Sequence, residues 1–319
     1  MIKYFLLSIF CSVSWAAQVL APIDTIEING TVKDMVIEGN KLLAATDMGH
    51  VELYDTETRE KIKEISIPDV KDFMGEIMPA RVMSADMLDE KYLLLSDSGK
   101  GGYSNLHIYD KKLIQIYSAQ DKKAIIKARF VDATHVLLGY LSNEVALLDI
   151  VTKKEIYRQQ LSESKFSDFA LNEEKSKVVF SCESGVLSVV DVKSGKVIKE
   201  LKGQNVDNVY KVDYKQGKIS AAGQDRRGAL YDVKSGQGAY IEGKFLIYAT
   251  ALSPSAQKVA FSMDEQNNIY IYNRSSKSEI AVLKGQKSTL NVILFKNENK
   301  IYSASDDSTI MVWDLKEKK

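Results

Sequence analysis

Residues 300–315 read "KIYSASDDSTIMVWDL". Apolar and small or polar residues alternate on either side of an Asp-Asp-Ser turn, the pattern of two antiparallel strands joined tightly, and the second strand ends on Trp313-Asp314. That ending, an apolar run closed by Asp or Asn, recurs at Asp55 in "ELYDTET", Asp110 in "HIYDKKL", Asp149 in "ALLDIVT", Asp191 in "SVVDVKSG", Asp232 in "ALYDVKSG" and Asn273 in "YIYNRSS". The successive gaps are 55, 39, 42, 41, 41 and 41 residues, and all but the first fall at the period of a sheet unit of four strands repeated around a ring.

The unit around Asp232 shows the internal order: "NVYKVDY", a turn at "KQG", "KISAAGQ", a turn at "DRRG", "ALYDV", a turn at "KSG", then "GAYIEG". No segment keeps a helical period long enough to compete. Seven such third strands predict an all-β, seven-bladed β-propeller of four-stranded blades. The last unit stops one strand short, while "PIDTIEING" at residues 22–30 is a period-two stretch left over before the first blade begins near Thr31. This segment is expected to complete the last blade and close the ring, since closure removes an open sheet edge.

The chain resembles the WD-repeat propellers in these residues, most closely in the last unit, which carries Ser303 and Ser305 on its second strand, Asp306 and Asp307 at the turn and Trp313-Asp314 on its third. The family's Gly-His before each first strand appears as Gly203-Gln204 and Gly285-Gln286, and its Trp appears once in a blade. The Asp-His-Ser-Trp hydrogen-bond network of the family is therefore not expected to be complete in any blade. Asp55, Asp110, Asp149, Asp191, Asp232, Asn273, Ser303, Asp307, Trp313 and Asp314 are expected to be structural residues of the repeat.

Lys plus Arg and Asp plus Glu number 43 each, so the chain is formally neutral and nothing argues for a nucleic-acid or anionic-membrane surface. The first residues, "MIKYFLLSIFCSVSWAAQ", place Lys3 before an apolar run and small residues at Ser14 and Ala16, the layout of a secretory leader cut near Ala16. The run is short for a membrane span. Residues 1–16 are thus expected to be a signal peptide and residues 17–319 the propeller. Cleavage leaves Cys182 alone, and an exported chain without a disulfide points to a periplasm. Cys182 sits in the alternating strand "KVVFSCESG", where a thiol serves as a small core hydrophobe.

The search for chemistry returns little. His50, His107 and His135 occupy different offsets in their blades, so the repeat does not bring them to one metal; solvated turn or strand positions are expected for them. "SDSGKGGYSN", residues 96–105, lacks phosphate-loop spacing and a following helix, and is read as an enlarged hairpin loop. Asp306 and Asp307 are read as turn residues rather than a calcium site. No catalytic residue, cofactor or metal is assigned and no enzyme is expected. A propeller hydrolase of lactonase type is the other reading, since residues at a channel mouth cannot be placed from sequence.

The long first gap arises from two insertions. One is "PDVKDFMGEIMPA", residues 68–80, between blades one and two; the other is the loop at 99–103, and in this topology both emerge on one face. Phe73, Met74, Ile77 and Met78 beside Glu76, Arg81, Lys100 and Tyr103 form a candidate partner-binding patch; the alternative is a loop folded onto its own blade as a cap. Glu27, Asn29 and Thr31 also fit an N-glycosylation sequon and its acidic extension. Size, leader and repeat count are similar to the NapL-type accessory propellers of periplasmic nitrate reductase systems. That resemblance implies a monomeric scaffold whose partners are periplasmic proteins, nitrate reductase subunits or their cytochromes among them; an envelope-assembly scaffold differs only in partner.

Overall fold

The computed structural model describes residues 17–316, so the candidate leader lies outside the described residues. Seven antiparallel sheets follow one another along the chain, at 32–66, 82–117, 125–160, 166–201, 209–242, 250–283 and 290–314. In each, the first strand lies innermost and the next ones step outward. The second strands are almost wholly buried because Leu, Ile, Val and Ala occupy both of their faces, as in "KLLAAT" and "HVLLGY". The outermost strands, such as Lys154–Gln160, alternate with charge and stay half in water.

The core lies between blades rather than within them. Leu93, Leu106 and Ile108 of the second blade pack on Phe130, Val136 and Leu138 of the third, and similar clusters recur around the ring. Every blade therefore depends on its neighbours for burial, the general condition of a stacked repeat.

The seventh blade is completed as expected. Asp24–Glu27 pairs antiparallel with Thr309–Asp314 in the register Asp24 to Val312 and Glu27 to Thr309, and Ile26 and Ile28 pack against Tyr302 and Val312. One strand was not foreseen: Gln18–Leu20 adds parallel to Glu279–Leu283, so the sixth blade has five strands rather than four. Leu20 is buried there in one cluster with Trp313.

The repeated Asp has a local cause. Asp55 Oδ1 accepts the backbone N–H groups of Glu57 and Thr58, and Asp149, Asp191, Asp232, Asn273 and Asp314 accept from the turns that follow them in the same way. The side chain thus satisfies N–H groups that leave the ladder at the turn. Asp110 departs from the pattern: its hairpin turns on Lys111 alone, at φ 61°, and its carboxylate faces Lys91 at 3.9 Å.

Candidate functional site

The insertion at 68–80 forms a two-stranded hairpin, Val70–Lys71 with Ile77–Met78. Asp72 organises its tip, since Oδ1 accepts the N–H groups of Met74 at 2.8 Å and Glu76 at 2.9 Å. Val70 and Ala80 anchor its base in the core between the first two blades. Above that base Phe73 is 92% exposed, Met74 75% and Ile77 69%, with Met78 also exposed. The hairpin is not folded down as a cap.

The second insertion supports it. Gly99 has φ +68°, and a Cβ placed there would lie 2.3 Å from the Lys71 carbonyl oxygen, so only glycine lets the two backbones meet. Tyr103 is half-buried and Lys100 exposed in that loop, whose ends are tied by the Tyr103 N–H to Lys100 carbonyl bond at 3.0 Å. Arg81 donates to Asp97 at 3.0 Å beside them. Glu76 is exposed near the tip. The structure thus brings Phe73, Met74, Glu76, Ile77, Met78, Arg81, Lys100 and Tyr103 onto two adjoining loops.

A second region, at the hub of the ring, was not legible in the sequence. A cavity of about 400 Å³ is lined by the innermost strands, including Asp34, Asp86, Lys127, Arg129, Asp168, Lys211 and Asp213. Asp34, Lys127, Asp168 and Lys211 each follow directly on a register shift in the inner strand, and such bulges re-aim side chains. Arg129 pairs with Asp34 at 2.7 Å and Lys127 with Asp168 at 2.6 Å. Burial opposes the charge on Asp34, yet Arg129 and Lys127 hold its carboxyl below the usual range; burial pushes Asp86 upward and the Lys127 ammonium downward.

These carboxylates have a common structural use. Asp34 accepts the N–H of Ala85, Asp86 that of Phe130, Asp168 that of Val212 and Asp213 that of Leu252, each from the inner strand of the next blade. They stitch blade to blade around the hub. The signal that could have revealed them is an acidic residue in the apolar alternation of a first strand, a pattern that a count of third strands passes over.

The histidines differ from expectation. His50 and His107 are buried and only His135 is half-exposed, because two of the three sit on interior third strands. Burial alone lowers His107 to about 4. His50 lies between the Met48 carbonyl oxygen, 3.1 Å from Nδ1, and Glu52, 3.0 Å from Nε2; both ring nitrogens face acceptors, so the imidazolium is the form that fits. The Glu52 hydrogen bond outweighs burial and raises His50. For Glu52, burial is overcome by bonds from His50 and Tyr54, which hold it at about 2. His50, Glu52 and Glu64 bring their ligand-type atoms within 4.8 Å of one another, but an imidazolium has no lone pair to give a metal ion. The Lys61 ammonium faces the two carboxylates, at 3.4 Å from Glu52 and 2.9 Å from Glu64.

The remaining sequence-derived residues are structural. Trp313 Nε1 donates to Ser303 Oγ at 2.8 Å, Ser303 to Gln286 Oε1 at 2.9 Å, and Gln286 Nε2 to Ser305 Oγ at 2.8 Å. Glutamine thus stands where the family pattern has histidine. Asp307 stays outside this chain and accepts the N–H of Thr309, while Asp306 ties Lys33 and Asn291. Cys182 is buried, with Sγ 3.1 Å from Ser184 Oγ. Asn29 is exposed in the bend between the closing strand and the first blade.

The fold and its closure define a seven-bladed β-propeller. The propeller domain of Cps50 (Swd1) from Myceliophteria thermophila superposes with a TM-score of 0.72 over 92% of this chain and 98% of that one, at 14% sequence identity, a likeness of fold alone. Protein SPA1-RELATED 4 of Arabidopsis thaliana is 26% identical over 160 residues, which are 48% of this chain and 20% of that protein. The chain thus matches about a fifth of that curated relative. No protein-family model matches the chain.

Proposed function

We propose that this protein is a non-enzymatic interaction scaffold that docks an exported partner through the hairpin between blades one and two. The observation that carries the reading is a braced hairpin presenting Phe73, Met74, Ile77 and Met78 to solvent on a base that Val70 and Ala80 anchor in the core. Large apolar side chains held rigidly outward lower the ordering cost of binding, and aromatic and Met side chains are favoured at the centres of interfaces. The neutral chain and the paired charges of the hub support a protein partner over a polyanion.

The finer reading rests on the leader-like first residues, the size and the blade count: a periplasmic accessory to nitrate reductase, acting in maturation or electron supply without holding a cofactor of its own. Affinity capture from the native periplasm, beside a variant with Phe73, Met74, Ile77 and Met78 changed to Ser, tests both levels. Recovery of a nitrate reductase subunit or its cytochrome by the wild type alone is the expected outcome. Equal recovery by the two proteins excludes this face, and a different specific partner excludes the nitrate reductase assignment while keeping the scaffold.

A further inference from the structure

The methionines of this chain divide by exposure. Met35, Met87, Met263 and Met311 are buried to within 2–4% of full burial, and Met83 packs partly against the core. Three are exposed: Met48 at 45%, Met74 at 75% and Met78 at 38%. Two share the hairpin, and the third lies on the neighbouring turn of blade one with its side chain over Gly30. Met74 and Met78 belong to the hairpin, and Met48 precedes Gly49, whose Cβ position is 3.6 Å from both Pro79 Cβ and the Ala80 nitrogen at the hairpin's foot. Exposed thioethers are thus confined, among the described residues, to the hairpin that presents Phe73 and Ile77 and to the turn beside its foot.

We propose that Met48, Met74 and Met78 form an oxidation-controlled modification site on the hairpin and the turn beside its foot, with peroxides as the oxidant class. The inference rests on reading the hairpin as a docking surface. In each step a sulfur lone pair attacks one peroxide oxygen and the O–O bond breaks. An S=O bond forms as sulfur loses two electrons, and the displaced hydroxide takes a proton to leave as water. The oxidant must reach sulfur, so exposure sets the order of reaction, and Cys182, buried and hydrogen-bonded, does not compete. Sulfoxide formation turns a soft apolar side chain into a strongly polar one and so disrupts a Met-rich interface. Reduced thioethers leave the surface apolar and able to dock; three sulfoxides make it polar and release the partner.

The test uses the full mature chain with dilute hydrogen peroxide. Peptide mass mapping is expected to find one oxygen each on residues 48, 74 and 78 before residues 35, 87, 263 or 311, with the thermal transition unchanged. Retention on a phenyl matrix should fall for the oxidised wild type and stay constant for a peroxide-treated Met48→Leu, Met74→Leu, Met78→Leu variant. Oxygen entering the buried methionines as fast as the exposed three, or unchanged retention of the triply oxidised protein, overturns the proposal. These two readouts need no partner, so they stand or fall apart from the docking reading. If the reduced wild type captures a partner, equal capture by its oxidised form also overturns the switch.

Discussion

At the scale of single residues, the charge state of a buried polar group in this protein is set by what faces it. His50 shows the consequence for pH. Its folded value is raised above the ordinary 6.5, so the stability it contributes is fully present below that pH and is lost as pH rises through the folded value. Glu52, held at about 2, contributes above the ordinary 4.5 and loses its contribution as pH falls toward 2. The pair is therefore strongest between about pH 5 and 6. His50→Gln should cost on the order of 3 kcal/mol there, since it leaves Glu52 buried with one partner fewer, and the gap to wild type should narrow at pH 9. Urea unfolding at both pH values measures it, and a gap independent of pH refutes the assignment. None of this was readable beforehand: "GHVELY" looks like a turn leading into a strand, and whether a histidine on such a strand faces water or the neighbouring blade depends on blade packing, which no local pattern states.

At the scale of elements, the inner strands bear the charged groups and the third strands bear the turn-capping Asp, and the two differ in legibility for a physical reason. A turn cap is local: Asp232 and the N–H of Ser235 are three residues apart, so spacing alone exposes it. The hub staples join residues about forty positions apart, such as Asp168 and Val212, and the outcome depends on a bulge that the alternation conceals. The staples also differ in weight. Asp168 is buried and neutralises Lys127, so Asp168→Ala leaves an uncompensated ammonium in the hub and should cost about 3–5 kcal/mol. Asp213 is half-exposed and its one cross-blade bond is to the Leu252 N–H, so Asp213→Ala should cost about 1 kcal/mol. Equal losses in chemical denaturation would show that the staple matters and the ion pair does not. The two insertions give a similar contrast: their existence followed from the gap of 55, whereas their contact through Gly99 and Lys71 needed coordinates. Gly99→Ala should force these backbones apart and speed proteolysis within 68–80 while leaving the global unfolding midpoint nearly unchanged, because the hairpin above Val70 adds little to the core.

At the scale of the whole molecule, the ring is fastened twice by one short segment. Asp24–Glu27 supplies the missing strand of blade seven, and the three residues Gln18–Leu20 reach back to blade six, with Pro22 between them lying 3.0 Å from the Cβ position of Gly285. The first fastening was visible as a leftover strand; the second was not, since three residues carry no period. Their energetics separate cleanly. Leu20→Ala removes a buried side chain from the cluster around Trp313 and should cost about 3 kcal/mol while leaving the edge of Thr309–Asp314 paired, so the protein should melt several degrees lower and stay monomeric. Removing residues 18–28 unpairs that edge and uncovers Tyr302 and Val312, and an open apolar edge is a template for association, so this variant should form soluble oligomers or aggregate on light scattering. In a ring where each blade is buried by its neighbours, losing one contact lowers stability by the worth of that contact, whereas opening the seam exposes two blade faces at once. A deletion variant that remains monomeric and melts at the wild-type temperature would mean that the seam is held from elsewhere and that the N-terminal clasp is an ornament of blades six and seven.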